Sequence, residues 1–117
     1  MKIHFFTGGE FVRQFKRLSK KYKSLTSDII ALRRELQDQP EQGVDLGGGV
    51  RKIRISITSK GQGKSGGARV LTLNVLIKQE PEDELDITFL AIYDKSEIDN
   101  VSDAYIRDLV KQVGSNN

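Results

Sequence analysis

Residues 50–58 read Val50-Arg51-Lys52-Ile53-Arg54-Ile55-Ser56-Ile57-Thr58, and here the apolar pattern takes a period of two. Isoleucines at 53, 55 and 57 mark the buried face of a strand, which sends Lys52 and Arg54 together to the opposite face. The loop Gly47-Gly48-Gly49 precedes this strand, and the flexible run Gly61-Gln62-Gly63-Lys64-Ser65-Gly66-Gly67 follows it. Arg69 to Ile77 and, beyond an acidic loop at Glu80 to Glu84, Asp86 to Tyr93 read as two further strands.

Upstream, Ile3 to Phe6 is a short β-prone run. Thr7-Gly8-Gly9-Glu10 then has the spacing of a capping box, so a helix is expected to start there. Phe11, Phe15, Leu18 and Tyr22 form its apolar stripe, with Arg13, Lys16, Arg17, Lys20 and Lys21 on the other side. Ser24 to Ser27 offers cap residues for a second helix carrying Leu25, Ile29, Leu32 and Leu36, which stops near Gln39-Pro40. A last helix from about Ser102, with Ile106, Leu109, Val110 and Val113 on its apolar side, runs to Gly114. The order predicts an α+β fold: an antiparallel sheet of about four strands, an N-terminal helical hairpin packed on one face, and a C-terminal helix. Neither an internal repeat nor a second domain is visible, and residues 1–117 are expected to form one domain.

Charge is segregated along the chain. Between Leu46 and Gln79 lie Arg51, Lys52, Arg54, Lys60, Lys64, Arg69 and Lys78 with no Asp or Glu, whereas Glu80 to Asp103 holds nine carboxylates and the single cation Lys95. A basic stretch free of acids leaves its cations available to an external polyanion, and nucleic-acid phosphate is the first partner to consider. The whole chain carries a net charge of only +3, so the basic character is local. The absence of cysteine excludes a disulfide framework, a thiolate nucleophile and a zinc ribbon, and a reducing cytoplasm is the simplest expected location. The start Met1 to Phe6 lacks a signal-peptide core, and no apolar run approaches the roughly 20 residues that span a bilayer.

Some local patterns suggest chemistry that their context does not support. Gly63-Lys64-Ser65 resembles the end of a phosphate-binding loop, but that motif needs a glycine where Thr58 stands and a helix where Arg69-Val70-Leu71 stands. His4 is the sole histidine and has no Cys or His beside it with which to hold a metal, so an ordinary sheet histidine is expected. The carboxylates around Pro81 read as a solvated turn. No metal or other cofactor is expected.

The Gly-rich region also carries a resemblance. Lys52-Ile53-Arg54, the run Ser59 to Val70 ending Lys64-Ser65-Gly66-Gly67-Ala68-Arg69-Val70, the segment Phe89-Leu90-Ala91-Ile92-Tyr93-Asp94-Lys95-Ser96-Glu97, and the helix segment Phe15 to Leu25 are similar to the RelE/HigB-type toxins of bacterial type II toxin–antitoxin systems. The likeness covers nearly the whole chain. It implies a ribosome-dependent endoribonuclease on a microbial-RNase-like sheet, which cuts messenger RNA in the decoding site and is neutralised by a cognate antitoxin. Operator DNA would be met only through that antitoxin.

RNA brings its own nucleophile. Cleavage by the 2′-OH needs a base for that hydroxyl, positive charge on the phosphorane-like transition state and an acid for the 5′-oxygen, and it needs no metal. By matching position, Lys52 and Arg54 correspond to the paired basic residues on the second strand of such toxins, and Arg69 to the arginine that binds the scissile phosphate. Arg69 suits that role because a guanidinium stays charged and can hold two phosphate oxygens in a fork. Tyr93 and Lys95 are candidates for base stacking and proton transfer. The best-known pattern has an arginine and a tyrosine further downstream, where this chain has Ile98 and Ser102, so acid and base stay unassigned. Lys60 and Lys64 on the loop, with Arg13, Lys16, Arg17 and Lys20 on the first helix, are the expected contacts to ribosomal RNA or message. Two other readings stand beside the mRNA interferase: a ParE-type toxin acting on DNA gyrase, and a noncatalytic RNA-binding module.

Overall fold

The three isoleucines do what their spacing requires. In a computed structural model, which describes residues 1–115, Ile53, Ile55 and Ile57 are all buried against the helical hairpin. The elements are β1 (Lys2–Thr7), α1 (Gly9–Lys21), α2 (Leu25–Asp38), β2 (Val44–Gly47), β3 (Val50–Ile55), a 3-10 turn (Thr58–Lys60), β4 (Ala68–Ile77), β5 (Glu84–Asp94) and α3 (Asp103–Ser115). They build an α+β fold on a five-stranded sheet in the order β1-β5-β4-β3-β2. Strands β2 to β5 pair antiparallel, and β1 joins β5 in parallel, with Phe5 opposite Ile87.

Four details depart from the sequence-based expectation, the first being β1, whose parallel pairing with β5 makes the sheet mixed where an antiparallel one is expected. Strand β2 occupies part of what reads as a glycine loop. It is four residues long and exposed throughout, so it has no apolar period to reveal it. Its turn into β3 uses left-handed glycines, and a Cβ on Gly49 (φ 87°) would lie 2.7 Å from the Asn74 carbonyl oxygen. The proposed capping box does not form, because Thr7 still pairs with Phe89 as the last residue of β1. Gly8 is the cap and has no side-chain bond; the Glu10 carboxylate instead binds Arg13 and the Tyr105 hydroxyl. Finally, the β3 ladder ends at Ile55, although Ile57 stays in the core from the following turn.

Strand alternation sorts side chains onto two faces. One face carries Ile53, Ile55, Ala68, Val70, Ile87, Phe89 and Ile92, covered by Phe11 and Leu18 of α1 and by Leu25, Leu32 and Leu36 of α2. On the opposite face Val50, Leu71, Leu90 and Ala91 pack against Leu109 of α3, flanked by Ile106, Val110 and Val113. A bulge makes this possible. Leu71 pairs with Ala91 and Thr72 with Phe89, so Leu90 is the extra residue and joins Ala91 under α3. Helix α3 covers this face where its residues are apolar; further along the same face β3 contributes Lys52 and Arg54, β4 contributes Arg69, and β5 contributes Tyr93.

Candidate nucleic-acid interface

Ladder register brings the sequence candidates into line. Arg54 of β3 lies opposite Arg69 of β4, and Arg69 lies opposite Tyr93 of β5, giving a row across three adjacent strands. Lys52 stands on the same face, one position along, opposite Leu71. The sequence predicts the face correctly, and the register supplies the alignment.

Arg69 is the unusual member. It is only 7% exposed, yet its hydrogen bonds go to backbone oxygens alone, from Nη1 to Lys64 O at 3.0 Å and Ala68 O at 3.2 Å. A nearly buried guanidinium commonly has a carboxylate partner. Here the partner is the glycine loop itself, whose backbone folds over the arginine. Gly67 makes that closure possible: a Cβ there would sit 2.0 Å from the Ile55 carbonyl oxygen, so no larger residue fits.

Tyr93 is 3% exposed, and its hydroxyl is buried with no hydrogen-bond partner. Burial pushes the phenol pKa above its ordinary value, against the charge of Arg69, which pulls it down. The group therefore stays protonated at neutral pH, as a donor without an acceptor. Leaving such a donor unmatched costs about 1–3 kcal/mol. An unmatched buried donor beside an arginine that bonds to no carboxylate marks a place where an anionic oxygen would be welcome.

Other predicted residues are less available. Lys95 donates to the backbone oxygen and to Oδ1 of Asp99, both at 2.6 Å. Its bond holds the Asp99 carboxyl below the usual carboxylate range, and the charges of Arg69 and Lys52 add to that effect. Asp99 is thus a carboxylate within the field of the row that the sequence reading missed, although the i, i+4 spacing from Lys95 was there to find. Lys60 is tied to Asp94 with Nζ to Oδ1 at 2.7 Å and is 10% exposed, so it does not project from the loop. Lys64 has an exposed side chain.

On α1, Arg13 pairs with Glu10 at 2.6 Å, and Arg17 makes two bonds to Glu97 at 2.9 and 3.2 Å. Lys16 and Lys20 are exposed. Since α1 packs on the other face of the sheet, these cations and the Arg54–Arg69–Tyr93 row do not form one continuous surface. His4 bonds to Glu84 at 2.6 Å on the β1–β5 edge, as an ordinary sheet histidine does.

The model of a family described as the RelE toxin of the RelE / RelB toxin-antitoxin system matches residues 6–115. The chain belongs to the RelE toxin family. The match takes in every element named above except the first residues of β1, and membership implies a cognate antitoxin. No curated protein and no solved structure matches the chain. Among the described residues no cluster of His, Asp or Glu could hold a metal ion, and no helix is long and apolar enough to cross a membrane. For this RelE-family chain the Arg54–Arg69–Tyr93 row and Lys52 are the functional candidates that the structure brings together.

Proposed function

We propose that this toxin is a ribosome-dependent endoribonuclease of the cytoplasm that cuts messenger RNA, with residues 1–117 forming one RelE-like domain. The observation that carries the reading is the cross-strand row, in which a buried arginine with only carbonyl partners faces a buried tyrosine hydroxyl with none. Both lack the ligand that a phosphodiester oxygen would supply.

In this mechanism the 2′-oxygen of the message attacks the adjacent phosphorus as its proton passes to a base. The P–O2′ bond forms, the P–O5′ bond breaks, and the products are a 2′,3′-cyclic phosphate and a 5′-hydroxyl end. Arg69 and Arg54 stabilise the charge that grows on the non-bridging oxygens, where a positioned cation contributes most. The protonated Tyr93 hydroxyl donates toward the phosphate or the leaving 5′-oxygen. Lys52 and Asp99 flank the row as candidates for the group that takes the 2′-proton, and Lys95 holds Asp99 in place. The exposed cations Lys16, Lys20 and Lys64 are available to ribosomal RNA. The antitoxin blocks this chemistry and is the route by which the pair meets operator DNA.

Message integrity in a translating extract tests the reading. Cleavage that disappears when ribosomes are removed is the expected result. DNA breaks with intact message would instead favour a gyrase-directed toxin, and retention of RNA without cutting would favour a binding module.

A further inference from the structure

Directly behind the row, on the hairpin side of the sheet, the end of β5 carries an enclosed polar cluster that the proposed chemistry does not use. Asp94 is 0% exposed. Its Oδ1 accepts from Lys60 Nζ at 2.7 Å, from Ser96 Oγ at 2.7 Å and from the Ser96 amide at 2.9 Å, and its Oδ2 accepts from the Tyr22 hydroxyl at 2.5 Å. Lys60 also donates to Ser96 Oγ at 2.9 Å and lies 5.4 Å from the centre of the Tyr22 ring. The end of α1, the turn after β3, the end of β5 and the turn that follows it all meet at this one carboxylate.

We propose that the Asp94–Lys60 ion pair is the positioning device of the catalytic row, anchoring the 61–67 loop to the end of β5 so that Arg69 and Tyr93 keep a fixed relation to each other. The inference rests on the endoribonuclease reading. Both ends of the loop are tied to the end of β5. At one end the Lys60 side chain reaches Asp94, and at the other the Lys95 amide donates to Gly67 O at 3.0 Å. Between these ties, Lys64 O accepts the bond from Arg69 Nη1. Tyr93 immediately precedes Asp94 and its side chain lies on the opposite face, so a fixed Asp94 fixes the tyrosine as well.

The chemistry of the cluster favours placement over bulk stability. A buried ion pair contributes little net stability compared with apolar residues of similar volume, whereas several directional bonds to one carboxylate admit few geometries. Burial alone would raise the Asp94 pKa, but bonds from Lys60, Tyr22 and Ser96 hold it well below the ordinary carboxylate range. The pair is therefore ionised wherever the protein works.

Single-turnover cleavage of ribosome-bound message, measured against ribosome concentration, tests the proposal on full-length variants whose folding is checked by thermal unfolding. Lys60→Met should lower the maximal rate about 10-fold or more and leave half-saturation unchanged, and Lys60→Arg should restore most of the rate. In an Arg69→Ala background, Lys60→Met should cost clearly less than in the wild type, because the ion pair acts through the row and only its effect through Tyr93 remains. Tyr22→Phe keeps the pair and removes one bond, so a loss of about two- to three-fold is expected, and this variant decides the matter if Lys60→Met does not fold. Wild-type rates in Lys60→Met, or in Tyr22→Phe where Lys60→Met is unfolded, would overturn the proposal. So would a loss confined to half-saturation, or full additivity with Arg69→Ala. A wild-type protein that leaves message intact would remove the endoribonuclease reading and this inference with it; a cutting wild type with an equally active Lys60→Met would remove this inference alone.

Discussion

Lys60 and Arg69 are nearly buried cations at the same end of one sheet, and their surroundings are opposite. Behind the sheet, Lys60 faces a carboxylate that is itself fully buried and bonded on every side. In front, Arg69 has two carbonyl oxygens and an unmatched tyrosine hydroxyl for a neighbour. The first arrangement is electrostatically complete and would gain nothing from a ligand. The second leaves a cation without a bonded carboxylate beside an unmatched donor, and desolvation by the loop makes each interaction there stronger than it would be in water. A cation count from the sequence treats the two residues alike, whereas the fold gives one a carboxylate partner and the other only backbone oxygens.

Substitution of Arg69 should separate the two regions most sharply. Arg69→Ala is expected to lower the cleavage rate by about 100-fold or more while ribosome binding stays largely intact, because the charge it stabilises peaks in the transition state. Retained toxicity in cells expressing the variant would remove Arg69 from the site.

Tyr93→Phe gives the next effect and a second signature. Losing the hydroxyl should slow cleavage by about 10-fold, and stability should hold or rise by up to about 1 kcal/mol, since a buried donor without a partner has been deleted. A variant that is less stable and fully active would show that the hydroxyl has a structural partner instead.

Behind the sheet the expectation concerns pH. The Asp94 carboxyl has its pKa lowered in the fold from the ordinary 3.8, so its contribution to stability is complete above that value and drains away as pH falls below it. Asp94→Asn should therefore flatten the pH dependence of stability in the range from about pH 4 to pH 2, measured by urea unfolding at several pH values. An unchanged slope would mean that the carboxylate is not held in this way.

The smallest effects belong to α1. Arg17→Ala should leave the melting temperature nearly unchanged, as exposed ion pairs contribute little. Reversing Lys16 and Lys20 to Glu should weaken ribosome binding and flatten its salt dependence if these cations reach ribosomal RNA. An unchanged salt slope would assign them to a solvated helix face.

Much of this was legible in residues 50–58. The isoleucine period gave the buried face and, with it, the side on which Lys52 and Arg54 stand. The helical hairpin followed from the stripe of Phe11, Phe15, Leu18 and Tyr22. Strand β2 was not legible, because an edge strand exposed on all its residues needs no apolar alternation. The parallel pairing of β1 was hidden for a different reason: it depends on where the chain travels between residues 7 and 84, not on any local pattern. For the candidate site, Arg69 was proposed from its position in a motif and Tyr93 from its place at a strand end, and the ladder register sets them side by side. What the sequence could not supply was which cations find carboxylates. Lys60 and Asp94 are far apart in the chain, and only the docking of the turn after β3 onto the end of β5 brings them together.

The central claim is that the unmatched row cuts RNA by 2′-OH attack, and the chemistry of the cut ends tests it most directly. Message cleaved in a ribosome-containing extract by the wild-type protein should end in a 2′,3′-cyclic phosphate upstream and a 5′-hydroxyl downstream, and Arg69→Ala should give almost none of either. Fragments carrying a 5′-phosphate, or equal yields from Arg69→Ala, would contradict it.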